Sequence, residues 1–328
     1  MLILNADDVR RALPMAAAIE AARRAFAALS SGLAVVPARA NIPAADGEGV
    51  TLVMPALVRG GDQALAVKVV SLFAGNAARG LARLQAAVLA LDPATGVPLA
   101  LLEGATLTAL RTAAACGLAS DLLAPAGSGC VAIFGAGVQA RTQLEAVCTV
   151  RDIRKVWVYD PSAASVASFI AALTGQGRIP ADIRPARDAR AALAEADIVC
   201  TATTSHRPVF ADADVKAGTH INAIGSYQPH VQELPAETVA RAWVVVDSRD
   251  AALAETGDLI QPIQAGLFGP DHIRAERGDL LLGRPVPPRS PGQLTLFKSV
   301  GLAVQDATAA QEALRRAAEL GIGQHVTW

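Results

Sequence analysis

Val131-Ala132-Ile133-Phe134-Gly135-Ala136-Gly137-Val138-Gln139-Ala140-Arg141 decides the fold of this chain. An apolar run ends in Gly-x-Gly-x-x-Ala, and a helical pattern follows. That order predicts a strand, a tight turn and a helix N-terminus that holds a dinucleotide pyrophosphate. Gly135 lets the chain turn and Gly137 lets the backbone approach the phosphates. The helix starting near Val138 offers unpaired N–H groups and the positive end of its dipole. Ala136, Val138 and Gln139 complete the expected contact stretch. Over a hundred residues precede this turn, and they are expected to carry the substrate chemistry.

Outward from the turn, strand and helix alternate. Strands are expected at 130–134, 155–159, 197–201, 220–224 and 243–246, with helices at 138–149 and 162–174. Such alternation implies an α/β fold with a Rossmann-type, doubly wound parallel sheet. The second strand ends in Asp160, 23 residues after Gly137. This is the expected spacing for an acid that accepts the adenosine ribose hydroxyls and repels a 2′-phosphate. Asp160 therefore favours NAD(H), with NADP(H) possible. The plainer reading is that it starts the turn before Pro161. No arginine or lysine follows it closely in sequence.

Upstream, Asn5 is positioned to cap a helix, with Asp7 and Asp8 in its first turn. Pro14 punctuates, and Ala17–Leu29 repeats apolar residues at helical spacing up to Gly32. Short β-like runs follow at 50–54, 65–72, 86–91 and 97–102, implying a mainly antiparallel sheet. Thr106–Leu123 and Gly301–Leu320 read as helices, the second with an Ala/Leu/Val face that needs a partner. Leu282–Gly292, rich in Pro and Gly, reads as a loop near the cofactor.

With 29 basic and 30 acidic residues, the chain has no field to attract nucleic acid or anionic lipid, so neither partner is expected. Residues 122–140 are uncharged, but Pro125 and four glycines would break a spanning helix. The N-terminus lacks the basic region and apolar core of a signal peptide. Cys116, Cys130, Cys148 and Cys200 lack metal-site spacing and read as buried thiols of a reducing cytoplasm.

Three basic residues stand out in the first part. Lys68 interrupts a β-branched run, either on an edge strand or aimed into a cleft. Arg111 is the only charge between Glu103 and Asp121, and Arg39 follows Val35-Val36-Pro37-Ala38. Periodicity leaves each open between a salt bridge and a ligand.

The chain resembles the ornithine cyclodeaminase/μ-crystallin family, closest in pattern to its ketimine reductase members. The matching segments are Lys68 in its strand, Gly75-Asn76 with Arg79-Gly80, Thr108–Ala114, Phe134–Ala140, Ile224-Gly225 with Glu233-Leu234, and Thr295–Gly301. The resemblance implies a homodimer. It implies a substrate-binding and dimerisation α+β domain of residues 1–117 with 302–328, and a Rossmann domain of 118–301. Arg39, Lys68 and Arg111 would hold the substrate carboxylate and the reacting nitrogen, Lys68 being the catalytic group. Thr203, Thr204, Ser205, Lys298, Ser299 and Val300 would line the nicotinamide end.

One departure separates the chain from the cyclodeaminases, where an aspartate follows Ile-Gly-x. Here Ile224-Gly225-Ser226 leads into Tyr227, which donates a hydrogen bond to substrate more readily than it acts as a base. The expected reaction is NAD(P)H-dependent reduction of a small cyclic imino acid, Δ1-pyrroline-2-carboxylate or Δ1-piperideine-2-carboxylate. Its products would be proline or pipecolate. Open-chain amino-acid dehydrogenation stands as the alternative, ahead of ornithine cyclodeamination and of ligand binding without turnover.

Overall fold

Asn5 begins the first helix as its side chain requires. Its Oδ1 accepts from the Asp8 N–H at 2.9 Å, and the Asp8 carboxylate accepts from the Asn5 N–H. This reciprocal cap satisfies two donors that a helix start leaves unpaired. The computed structural model describes residues 1–44 and 49–327. It divides the chain into two units, Met1–Thr112 with Leu302–Trp328, and Ala113–Gly301.

The first unit opens with β1 (Leu2–Leu4), α1 (Ala6–Ala12) and α2 (Met15–Ser30), then β2 (Ala34–Val35), β3 (Ala40–Pro43) and β4 (Gly49–Val58). β5 (Ala64–Phe73), β6 (Leu84–Leu91) and β7 (Pro98–Glu103) follow, and α3 (Gly104–Leu123) runs into the second unit. The sheet order is β16-β1-β7-β6-β5-β4-β2, with β3 also on β4, where β16 is Gln324–His325 near the C-terminus. It is antiparallel apart from the β1–β7 pair. The two-residue period puts Ala64, Ala66, Lys68 and Val70 of β5 on the buried face. That face meets α11 (Ala303–Leu320), which also packs on α2. The apolar side of the last helix thus finds the partner that the sequence demanded. β1 and β16 were not foreseen, because two or three residues carry no periodicity.

The second unit comprises β8 (Cys130–Phe134), α4 (Val138–Val150), β9 (Lys155–Tyr159), α5 (Ala163–Leu173), β10 (Ile183–Pro185), α6 (Ala189–Leu193), β11 (Ile198–Thr201) and β12 (His220–Ala223). Then come α7 (Ala236–Arg241), β13 (Trp243–Val246), α8 (Arg249–Glu255), α9 (Gly257–Gln264), β14 (Ile273–Glu276), α10 (Arg277–Leu281) and β15 (Thr295–Lys298). All eight strands are parallel, in the order β10-β9-β8-β11-β12-β15-β13-β14. Val131 and Ile133 of β8 join one apolar core, and Ala132 and Phe134 join another. The inner strands β8, β11, β12, β15 and β13 are buried along their whole length, which is why β8, β11 and β13 run largely apolar without alternation. The strand order reverses between β8 and β11, and ligands of such sheets bind beyond the carboxyl ends at that point.

One expectation is corrected. Residues 282–292 do form a loop, but they lie at the amino ends of the strands. The loop leads into β15, and its Pro287 carbonyl accepts from the indole of Trp243, the first residue of β13. Cofactors of this fold bind at the other end of the sheet, so the loop is not near that site.

Candidate functional site

In the first unit the cations converge on a carboxylate. Lys68 sits on β5, a central strand flanked by β4 and β6, where its register partners are Met54 and Val88. It is 1% exposed, so the edge-strand reading does not hold. Its Nζ lies 2.7 Å from Asp306 Oδ2, and Arg111 Nε on α3 donates to Asp306 Oδ1 at 2.9 Å. Arg111 Nη1 also donates to Gln305 Oε1, which in turn accepts from the Leu302 N–H at the start of α11. Asp306 stands in the first turn of α11, where the helix dipole favours an anion.

Two cations share one carboxylate here, leaving one positive charge in excess. Burial, then the field of Arg111, lowers the Lys68 ammonium from its usual range to about 7, while Asp306 holds it up. Arg39 lowers it further, so the third basic residue acts on the same group. A buried amine of that kind gives up and regains a proton near neutral pH. Asp306 was missed because an acid in a helix's first turn is explained locally by the dipole. Nothing in its neighbourhood names a lysine on a distant strand.

In the second unit the glycine turn has the predicted form. Gly135 has φ +96°, and a Cβ there would fall 2.7 Å from the Ala202 carbonyl oxygen, just past β11. At Gly137, the residue before α4, a Cβ would meet nothing within 4 Å. No side chain caps α4, so its first-turn N–H groups point into that open space. Val138 is exposed beside it, and the Gln139 Oε1 is buried without a hydrogen-bond partner. These residues fit a dinucleotide pyrophosphate.

Asp160 makes the turn of the plainer reading and also reaches back to the glycine turn. Its Oδ1 accepts from the Ser162 N–H at 2.8 Å, which makes the turn, and its Oδ2 accepts from the Ala136 N–H at 3.1 Å. A carboxylate has about four acceptor positions, so capacity remains for ribose hydroxyls. A cavity of ≈ 760 Å³ opens beside it, lined by Tyr159, Pro161, Ile170, Ala186 and Arg187 among others. Arg187, just past β10, was not apparent from sequence, because the fold and not chain proximity brings it near Asp160. Its exposed guanidinium faces Asp188 at 3.2 Å.

The other expected residues cluster at the carboxyl ends of β11, β12 and β15. The Thr203 hydroxyl accepts from the Ser205 N–H at 3.1 Å, and Ser205 Oγ donates to the Arg207 carbonyl; Thr204 is exposed. Tyr227 is 37% exposed on the loop after β12. His230, on the same loop, lies beside His206 with ring centroids 6.0 Å apart. Lys298 is wholly buried with its Nζ 2.9 Å from Asp258, so its side chain is structural and any cofactor contact falls to its backbone. Asp247 was not foreseen. Its Oδ2 accepts from Ser299 Oγ and from the Val300 and Gly301 N–H groups, all within 2.9 Å, and it thereby shapes that loop.

A Rossmann-type sheet with an open glycine turn, in one chain with a buried cation cluster around a titrating lysine, defines a nicotinamide-dependent oxidoreductase. The chain belongs to the ornithine cyclodeaminase/mu-crystallin family, whose model matches residues 1–319. It is 39% identical over 327 residues to a Δ1-pyrroline-2-carboxylate reductase of Bacillus cereus, covering 99% of both chains. The structure of Thermococcus litoralis Δ1-pyrroline-2-carboxylate reductase in complex with NADH and L-proline superposes with a TM-score of 0.94 at 41% identity. It covers 99% of this chain and 100% of that one. An archaeal alanine dehydrogenase dimer with bound NAD gives 0.91 at 32% identity, covering 100% and 99%.

Proposed function

We propose that the protein reduces the C=N bond of a small cyclic imino acid, Δ1-pyrroline-2-carboxylate or Δ1-piperideine-2-carboxylate, to proline or pipecolate. The observation that carries this reading is the Lys68–Asp306–Arg111 cluster. Its excess positive charge suits one substrate carboxylate, which Arg111 and Arg39 can bind by charge-assisted hydrogen bonds. Reduction adds a hydride to the imine carbon and a proton to the nitrogen. A bound nicotinamide supplies the hydride. Lys68, with its pKa near 7, supplies the proton and recovers it from solvent. Tyr227 offers a hydrogen bond where the cyclodeaminases carry an acid, so the hydride is delivered rather than borrowed and returned.

NADH is the expected cofactor, since Asp160 accepts ribose hydroxyls and repels a 2′-phosphate. Arg187 supports residual use of NADPH. The protein is proposed to be a homodimer. On the face of the first unit's sheet away from α11, Pro55, Val67 and Leu89 pair across three strands, as do Leu57, Leu65 and Leu91. Val69 on that face is 41% exposed, and an apolar sheet face of this kind calls for a partner. Among the described residues no helix is long and apolar enough to cross a membrane. All four cysteines are free and buried, which accords with a reducing compartment.

The test is a substrate panel followed by absorbance of the reduced cofactor. Consumption with a cyclic imine supports the reading; none with either imine overturns it. The likeness to alanine dehydrogenase favours a second reading, which pyruvate with ammonia or methylamine tests in the same assay.

A further inference from the structure

Glu233 is wholly buried on the segment after β12, and each of its carboxylate oxygens takes two donors. Oε1 accepts from the Thr203 N–H and the Thr203 hydroxyl, both at 2.7 Å. Oε2 accepts from Thr201 Oγ1 at 2.8 Å and from the Gly225 N–H at 2.9 Å. Thr201 ends β11 and Thr203 begins the loop beyond it, while Gly225 follows β12. One side chain therefore ties together the exits of two neighbouring strands.

The same residue is anchored from below. Asp258 Oδ1 accepts from the Glu233 and Leu234 N–H groups at 2.6 and 2.9 Å. The other oxygen of Asp258 faces Lys298 Nζ at the end of β15, so a third strand exit joins the network. Burial pushes the Glu233 carboxyl above its ordinary range and the Lys298 ammonium pulls it back. Its four surrounding donors call for the ionised form.

Two details show how closely the backbone is fitted to this carboxylate. A Cβ on Gly225 would fall 2.3 Å from Glu233 Oε1, so only glycine allows the loop this approach. The Thr203 hydroxyl accepts from the Ser205 N–H, which commits its own proton to Glu233. The orientation of the Thr203–Ser205 turn is thus transmitted from the buried acid.

We propose that Glu233 is the positioning residue of the nicotinamide half-site, holding the Thr203–Ser205 turn and the Gly225–Tyr227 turn in the spacing one ring requires. The proposal rests on the cofactor reading above. Glu233 touches no substrate or cofactor; it acts through the two turns.

Glu233→Gln tests it. In either orientation of the amide, one backbone N–H, of Thr203 or of Gly225, meets an NH2 group in place of an oxygen. That turn must move. Dissociation constants for NADH and for ADP-ribose, which lacks the nicotinamide, are measured on the purified full chain, together with kcat and KM for the imine. The expected result is a loss of about tenfold or more in NADH affinity, as for a lost charge-assisted hydrogen bond, with ADP-ribose unchanged. Gly225→Ala, which displaces the same carboxylate from the other side, should reproduce the pattern. Thr201→Val removes one donor at constant shape and should give a smaller loss of the same kind, even if Glu233→Gln does not fold. Equal losses for both ligands, or no change for either across the folded variants, overturn the proposal. A wild-type chain that binds no NADH overturns the cofactor reading itself and this proposal with it.

Discussion

Replacing Asp306 by asparagine removes the one negative charge shared by Lys68 and Arg111 while keeping its size. Both cations lie within 3 Å of that carboxylate and are buried. At an effective dielectric of about 20, each such contact is worth several kcal/mol before desolvation. One pKa unit corresponds to about 1.4 kcal/mol, so Lys68 should fall by at least about 2 units from its value near 7. At pH 7 the protonated fraction then drops from about half to about 1%. If the Lys68 proton reduces the imine, kcat/KM at pH 7 falls about 50-fold. Because kcat/KM reports the free enzyme, its alkaline limb should lie near pH 7 in the wild type and about 2 units lower in the variant.

The assay is NADH oxidation with Δ1-pyrroline-2-carboxylate from pH 5 to 9, with the imine's own titration measured separately. Superimposable pH profiles for the two proteins would refute the reasoning. Stability supplies an independent readout. The Lys68 pKa is lowered on folding, so between about 7 and 10.5 the unfolded chain binds more protons than the native one. The stability contributed by this group therefore rises with pH through that window. It is lowest below pH 7, where the ammonium is charged and buried. In the variant the rise should begin at lower pH, and Arg111, left with Gln305, should cost about 3 kcal/mol in chemical denaturation.

The glycine turn separates binding from folding. Gly137→Val should leave the melting temperature unchanged but abolish NADH binding, because its side chain would fill only the open space above α4. Gly135→Ala should instead destabilise the protein by about 1–3 kcal/mol or more, from positive φ and the clash with Ala202, as read by denaturant titration. Asp160→Ser should narrow the ratio of kcat/KM for NADH over NADPH, and a further Arg187→Ala should cut the NADPH rate alone. An unchanged ratio would show that Asp160 makes only its turn. Val69→Arg on the exposed sheet face should shift the protein to a monomer in analytical ultracentrifugation; an unchanged mass would place the interface elsewhere.

Local pattern carried the glycine turn, the parallel alternation and the Asn5 cap, because each is a relation among neighbours in the chain. Asp160 was readable because its distance from the turn is set by one helix and one strand. Lys68 and Arg111 could be singled out as charges in apolar runs, but their partner could not. Leu282–Gly292 was readable as a loop from its composition, yet composition says nothing about which end of the sheet a loop occupies.

The sequence by itself therefore determined the class of fold, the glycine turn between β8 and α4 and the types of residue available for chemistry. Those depend on backbone geometry and periodicity over a few residues. Only the tertiary structure decided that burial and Arg111 lower the proton affinity of Lys68 while Asp306 holds it up, and that Glu233 fastens the exits of β11 and β12. It also decided that Arg187 shares a cavity with Asp160. The physical reason is the same in each case. A buried charge is governed by what lies within a few ångströms of it, and those neighbours come from distant parts of the chain.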